Sequence, residues 1–134
     1  MTAPTIEVGT KLPELELYGD PTFIVSTAIA TRDYQDVHHD RDKAQVKGSK
    51  DIFVNILTDT GLVQRFITDW AGPSAVIKKI GLRLGVPWYA YDTVTFRGEV
   101  TAVEDGLITL KIIGSNSLGD HVIATAVLTI GDNA

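Results

Sequence analysis

The sequence predicts an α+β fold in which an antiparallel sheet lies against one long helix. Residues 55–72 carry apolar side chains at spacings of three and four, which is the repeat of a buried helix face. The second half of the chain alternates apolar and polar side chains over short runs separated by turn residues. This alternation is typical of antiparallel strands that bury one face.

The first half of the chain is less regular. Residues 23–30 are short and rich in β-branched side chains, so the pattern predicts a strand, and Asp20-Pro21 before it indicates a turn. Residues 31–51 are polar and predict an irregular loop, with one helical turn expected over residues 41–46. One or two strands should therefore precede the long helix.

The long helix is predicted at about residues 56–71, and Gly72-Pro73 is a typical end signal. Strands are predicted at residues 75–88, 92–104, 106–116 and 121–130. Tight turns join the last three strands into an antiparallel meander. A sheet of this kind leaves edge strands that another chain often covers, so we expect a dimer.

Composition excludes several classes of protein. The 134 residues are expected to form one domain, residues 1–134. Hydrophobic residues make up 44% of the chain and charged residues 22%, a composition that indicates a globular protein. A net charge of -5 without a basic cluster argues against nucleic-acid binding. The absence of cysteine excludes disulfides and thiolate chemistry. We see neither a signal peptide nor a bilayer-spanning run, and expect a cytoplasmic protein.

The stretch "RDYQDVHHDRDKA", residues 32–44, is the candidate site. Asp33 and His38 are five positions apart in a loop and could point into one pocket. Imidazole exchanges protons near neutral pH, and a carboxylate can orient the ring or act as a base itself. The pair could hold one water molecule between them, with one group taking its proton and the other supplying a proton.

Two other interpretations of this stretch remain open from the residues alone. Loops are rich in Asp and His because these residues suit turns and solvent. A metal site is the less favoured alternative, because adjacent histidines rarely face one ion and the spacing fits no recurrent metal site. The possible ligands would be His38, His39, Asp36 and Asp40.

The same stretch resembles the signature of the MaoC-like, (R)-specific enoyl-CoA hydratases. That signature is Asp, any residue, Asn, Pro, an apolar residue and His, followed after five residues by Ala or Ser. Gln35 and Asp36 depart from it, in place of Asn and Pro. The matching residues are Asp33, Val37, His38 and Ala44. This family has the hotdog fold, a curved antiparallel sheet around a central helix, which agrees with the predicted order of elements.

Longer runs, residues 12–42, 48–73 and 80–106, strongly resemble the small MaoC-like subunits of actinobacterial steroid enoyl-CoA hydratases, which act in cholesterol side-chain degradation. The resemblance implies an α2β2 heterotetramer with a second MaoC-like chain. It also implies hydration of a steroid enoyl-CoA whose double bond is conjugated to the thioester. Coenzyme A would be part of the substrate, and no cofactor or metal is expected.

The resemblance assigns the catalytic positions to Asp33 and His38. It places the donors for the thioester oxygen near Asn55 and Ile56, where the chain enters the central helix. Relatives usually have His-Gly here, so the bulky Ile56 is a departure. Asn55 is equally well interpreted as a helix N-cap, which Asn forms readily.

Two alternatives to a catalytic hydratase subunit remain. The chain could be a non-catalytic hotdog partner that completes a site on another chain, although a scaffold does not need both Asp33 and His38. It could also be a hotdog acyl-CoA thioesterase.

The remaining candidate residues have structural interpretations. We predict that His39 and Asp36 support the site or are solvated, that His121 is exposed, and that Arg65 forms a surface ion pair. The aromatic cluster is predicted to pack in the core or at a subunit contact, with a steroid pocket as the alternative. Its members are Trp88, Tyr89 and Tyr91.

Overall fold

The computed structural model describes residues 6–131. Five antiparallel strands form one sheet in the order β1-β3-β4-β5-β2. The strands are β1 (Leu15–Gly19), β2 (Ala75–Leu84), β3 (Asp92–Glu104), β4 (Leu107–Asn116) and β5 (Gly119–Ile130). The helices are α1 (Pro21–Ala30), α2 (Arg41–Val46) and α3 (Ile56–Ala71), with a 3₁₀ turn at Asp36–His38. No helix in this part of the chain is long and apolar enough to cross a membrane.

The long helix is confirmed as α3, which covers the predicted residues. The Asn55 side chain caps its first turn, and Gly72 ends it with a φ of 86°, which favours glycine. The apolar stripe is buried from Val63 onward, and Phe66 from this stripe packs beside Phe96 of β3 with ring centroids 6.1 Å apart. The helix therefore lies against the inner face of the sheet.

The predicted meander is also confirmed, because β3 pairs with β4 and β4 pairs with β5. Asp105 and Gly106 make the tight turn between β3 and β4, with φ values of 51° and 80°. Strand β2 pairs with β5 and ends at Leu84, short of the predicted residue 88. Both β1 and β2 are edge strands of the sheet.

The strand predicted at residues 23–30 is wrong, because this segment lies in α1. Asp20 is the N-cap, and its side chain accepts a hydrogen bond from the Phe23 N–H. Pro21 occupies the first helical turn, where its missing N–H costs nothing. Ile24 and Ala28 are buried one turn apart. The helix cap and the packing thus override the β-branched composition.

The predicted turn at residues 41–46 is confirmed as α2, whose N-cap is Asp40. The loop between α1 and α2 contains the 3₁₀ turn Asp36–His38. The chain then returns through Phe53, whose N–H donates to the carbonyl of Val37 at 3.1 Å. This contact brings the loop of the candidate site next to the start of α3.

Candidate active site

Asp33 and His38 lie together, as the sequence predicted. Asp33 follows the end of α1, where Arg32 takes a φ of 58° and the Asp33 N–H donates to the Ala28 carbonyl at 2.8 Å. His38 ends the 3₁₀ turn. The two side chains meet with His38 Nε2 3.5 Å from Asp33 Oδ2. This distance is longer than a good direct hydrogen bond and leaves both atoms available to a shared third group.

The ring of His38 is held from behind. Its Nδ1 lies 2.6 Å from the carbonyl oxygen of Phe53. A carbonyl only accepts hydrogen bonds, so Nδ1 carries the hydrogen and the neutral ring has its lone pair on Nε2. The Phe53 ring also meets the imidazole edge-on, with centroids 4.8 Å apart. His38 is only 6% exposed, so its orientation is well defined.

The carboxylate of Asp33 is held by a donor on each oxygen. The backbone N–H of Gln35 donates to Oδ1 at 3.2 Å, and Asn55 Nδ2 donates to Oδ2 at 3.1 Å. Burial alone would raise the pKa of Asp33, but the hydrogen bonds from Asn55 and Gln35 and the nearby histidines lower it below its ordinary value. The side chain is therefore an ionised carboxylate at neutral pH.

The start of α3 forms the third side of the site. Asn55 is the N-cap, as one of its two interpretations expected, and its Oδ1 accepts from the Thr58 N–H at 3.2 Å. Ile56 is the first helical residue, so its N–H has no acceptor within the helix. Ile56 is 47% exposed. The helix terminus thus adds an N–H group and a positive dipole end beside the Asp33–His38 pair.

The neighbouring histidine supports the loop. His39 Nε2 lies 2.6 Å from the Asp33 carbonyl, and its ring stacks beside Tyr34. Asp36 points away from the pair toward Lys43 and Lys47, with N–O distances of 3.9 and 3.7 Å. Both outcomes agree with the predicted supporting or solvated roles.

The prediction that His121 is exposed is wrong, because it is only 1% exposed. Its Nε2 lies 2.8 Å from Oδ2 of the fully buried Asp59, and its Nδ1 lies 2.7 Å from the Val86 carbonyl. Burial raises the pKa of Asp59, against the effect of the His121 hydrogen bond. Burial alone would lower the pKa of His121, but Asp59 and Val86 raise it. Asp59 was a signal in the sequence that a buried polar partner exists, because it is a charged residue on the buried side of a largely apolar helix.

The other candidate residues lie away from Asp33 and His38. Arg65 faces Asp69 at 3.4 Å on the surface, as predicted. Trp88 is fully buried in the core, which confirms packing for this member of the aromatic cluster, whereas Tyr91 is exposed. Within residues 6–131, no three His, Asp or Glu side chains lie close enough to hold a metal ion. A depression of about 430 Å³ opens on the outer side of β3 and β4 and does not include the pair.

Comparison with known proteins identifies a close sequence relative. The chain is 79% identical over 126 residues to the 3-oxo-4,17-pregnadiene-20-carboxyl-CoA hydratase beta subunit of Mycobacterium tuberculosis. The match covers 94% of this chain and 98% of the relative. No protein-family model matches the sequence.

Solved structures share the fold. A chain in the crystal structure of the ChsH1-ChsH2 complex from Mycobacterium tuberculosis has a TM-score of 0.93 at 78% identity, over 95% of this chain and 100% of that chain. The (R)-hydratase from A. caviae involved in PHA biosynthesis has a TM-score of 0.87 at 22% identity, covering 96% and 100%. The MaoC-like dehydratase from Rhodospirillum rubrum has a TM-score of 0.78 at 16% identity, covering 96% of both chains. At these low identities, the last two show the hotdog fold alone.

Proposed function

Because this chain belongs to the MaoC-like hydratase family, whose hotdog fold it shares, we propose that it is the catalytic subunit of a steroid side-chain enoyl-CoA hydratase. The observation that carries the catalytic role is the Asp33–His38 pair, with Nε2 and Oδ2 3.5 Å apart beside a helix N-terminus. The steroid substrate rests on the name of the relative that is 79% identical. The cytoplasmic location and the single domain over residues 1–134 stay predictions.

The pair is suited to hold one water molecule. Asp33 is ionised, and Nδ1 of His38 carries the hydrogen that the Phe53 carbonyl accepts, which places the lone pair of the imidazole on Nε2. A water can then donate one hydrogen to Asp33 and one to His38. Its oxygen lone pair then faces outward, toward the β-carbon of a conjugated thioester. Both protein groups start as acceptors, so the proton that reaches the α-carbon is the one that the water gives up. The C–O bond forms at the β-carbon as one O–H bond of the water breaks, and Asp33 or His38 accepts the released proton. The double-bond electrons move onto the thioester oxygen, and their return forms the C–H bond at the α-carbon with that same proton.

Negative charge develops on the thioester oxygen during this addition. We assign its donor to the backbone N–H of Ile56, which lacks an intrahelical acceptor. The dipole of α3 adds to this stabilisation at the helix N-terminus. Leu57 and the Ile56 side chain are about half exposed at the same terminus and provide apolar surface for a steroid or for a partner chain.

The chain is proposed to act with a second MaoC-like chain in an α2β2 heterotetramer. The relative in the solved complex is paired with another chain, and the sequence relative is named a beta subunit. Edge strands β1 and β2 provide backbone groups that a second sheet can cover. No cofactor is assigned, because the proposed water addition needs only the groups described above and a coenzyme A thioester as substrate.

The first experiment measures hydration of an α,β-unsaturated steroid acyl-CoA by the assembled complex. Conjugation absorbs in the ultraviolet, so water addition lowers the absorbance without releasing free thiol. Asp33→Asn and His38→Ala should each cut turnover by about 10²–10⁴-fold, the usual contribution of acid–base groups. Asp36→Asn is the matched control, because this carboxylate lies in the same loop and points toward lysines. It should keep wild-type turnover.

The outcomes separate the three functions that the sequence left open. Turnover retained in both Asp33→Asn and His38→Ala would place the chemistry on the other chain and make this one a scaffold. Release of free thiol at the rate of absorbance loss would indicate a thioesterase. Absorbance loss without thiol release, abolished by either substitution, supports the catalytic hydratase subunit.

A further inference from the structure

The side chain of Asn55 connects the start of α3 to the reacting pair. Its Nδ2 donates to Asp33 Oδ2 at 3.1 Å, and this is the oxygen that faces His38 Nε2. We propose that Asn55 is a positioning residue, which fixes the Asp33 carboxylate in front of His38 and acts on the substrate only through Asp33. This inference rests on the proposed function of the pair.

Neighbouring donors fix which end of the Asn55 amide faces Asp33. Its Oδ1 accepts from both the backbone N–H and the hydroxyl of Thr58. The backbone N–H cannot act as an acceptor, so the amide cannot be reversed without losing this bond. Its Nδ2 therefore points to the other side, where its two hydrogens go to Asp33 Oδ2 and to Thr31 Oγ1 at 2.9 Å.

These partners use the whole hydrogen-bonding capacity of the amide. An Asn side chain has two donor hydrogens and two acceptor lone pairs, and all four are engaged by protein atoms here. Asn55 is also only 2% exposed. A direct contact between this amide and a substrate would require breaking one of these bonds, which is why its effect is assigned to Asp33.

The hydrogen bond from Asn55 restrains the orientation of the Asp33 carboxylate and favours its ionised form. Gln35 N–H holds Oδ1 and Asn55 holds Oδ2, so rotation of the carboxylate plane away from His38 would break these hydrogen bonds. The titratable groups that face the carboxylate are His38 and His39, while α3 faces it with the uncharged Asn55. The hydrogen bond from Asn55 favours the ionised form and helps to keep the pKa of Asp33 low.

The positioning role can be separated from helix capping by choice of variant. Asp and Ser are both good N-caps, so Asn55→Asp and Asn55→Ser retain an acceptor for the Thr58 N–H. Neither retains the amide donor to Asp33. Asn55→Asp also places a second carboxylate beside Asp33, and one member of such a pair has a strongly raised pKa.

The test is the pH dependence of kcat and kcat/KM for steroid enoyl-CoA hydration by the assembled complex. At neutral pH, Asn55→Asp should lower kcat by about 10²-fold, the cost of a misplaced reacting group, while KM stays close to wild type. Its loss of activity on the acid side should begin about one pH unit or more above that of wild type. Asn55→Ser should show a smaller change in the same direction. The Asp33 carboxyl signal in NMR should titrate at higher pH in both variants.

Asp20→Ala is the matched control for loss of a helix cap. It removes the N-cap of α1 without touching Asp33, so it should lower Tm and leave the pH profile unchanged. A wild-type kcat and pH profile in Asn55→Asp, with His38→Ala inactive, would overturn the positioning role and leave the proposed function intact. An activity loss that follows only the loss of folded protein, with an unchanged pH profile, would overturn it as well. Full activity in His38→Ala and Asp33→Asn would instead contradict the proposed function itself.

Discussion

Hydrogen bonds set the orientation of the two side chains in the candidate site, Asp33 and His38. The Phe53 carbonyl fixes the His38 ring from behind, and donors on both oxygens fix the Asp33 carboxylate. Groups that are already fixed lose little entropy when a substrate binds, which supports the catalytic role proposed for this pair. The proposed oxygen donor, the Ile56 N–H, is fixed in turn by the first turn of α3.

The Ile56 N–H can be removed with little change to the helix. Proline suits the first helical position, and Asn55 before it has φ -84° and ψ 159°, which is the conformation that a following proline favours. Ile56→Pro should lower kcat by about 10²–10³-fold, the loss seen when one oxyanion donor is removed. Steady-state kinetics of the assembled complex would measure this loss.

Ile56→Val is the control for this substitution, because it keeps the N–H and trims only a side chain that is half exposed. It should retain kcat within a few-fold of wild type. Equal losses in the two variants would show that the side chain, and not the N–H, matters.

At the scale of elements, helices and strands were predictable from the sequence where a single strong hydrophobic pattern was present. The stripe of α3 and the alternation of β3, β4 and β5 each bury a continuous apolar face, and these elements were predicted correctly. Residues 23–30 combine β-branched residues with helix signals in Asp20 and Pro21. The segment is helical because a helix buries Ile24 and Ala28 on one face. That burial depends on contacts with residues that are remote in sequence.

Glycines in the strands allow close packing against the sheet's inner face. An added Cβ at Gly114 of β4 would lie 2.9 Å from a Val122 methyl and 3.0 Å from a Val94 methyl. Gly114→Ala should therefore destabilise the protein by about 1–3 kcal/mol through overpacking. Gly81→Ala is the control, since nothing lies within 4 Å of a Cβ there. Urea unfolding of both variants measures the difference, and equal stabilities would contradict this account of the packing.

At the scale of the whole molecule, the buried pair Asp59–His121 ties α3 to β5. Both partners are almost completely buried, and the raised pKa values of Asp59 and His121 favour keeping a proton in the pair. Loss of that proton leaves a buried carboxylate without a cationic partner, which is costly.

This pair predicts a pH dependence of stability. His121 has a pKa raised above its ordinary 6.5, so its contribution is fully present below that pH and is lost as the pH rises through the higher value of the folded state. Each tenfold increase in proton affinity on folding corresponds to about 1.4 kcal/mol. The wild-type Tm should therefore fall between neutral and alkaline pH. Asp59→Asn removes the carboxylate that raises the pKa of His121, and its Tm should be flatter over this range.

Thermal unfolding at several pH values tests this dependence. Asp69→Asn serves as the control, because this carboxylate is exposed and pairs with Arg65 on the surface. It should follow the wild-type curve. Parallel curves for Asp59→Asn and wild type would contradict the role of the buried pair.

The candidate site was predictable in part. Asp33 and His38 are close in sequence and form a recognisable motif, which made the candidate pair visible, and the structure brings the two side chains together. The groups that hold them, the Phe53 carbonyl and the Asn55 amide, lie 15 and 22 positions away from their partners and form no motif with them. Only folding brings them together, and His121 was misjudged for the same reason, because Asp59 is 62 positions away.

Residues 53–56 indicate where the chain can accept insertions without disturbing the candidate site. This short stretch carries the carbonyl that holds His38, the amide that holds Asp33 and the N–H assigned to the thioester oxygen. Consecutive Cα atoms are about 3.8 Å apart, so the chain itself keeps these three groups close to one another. Insertions at hairpin tips such as Asp105-Gly106 leave that spacing untouched, whereas one residue added within 53–56 would separate at least one of these groups from the others.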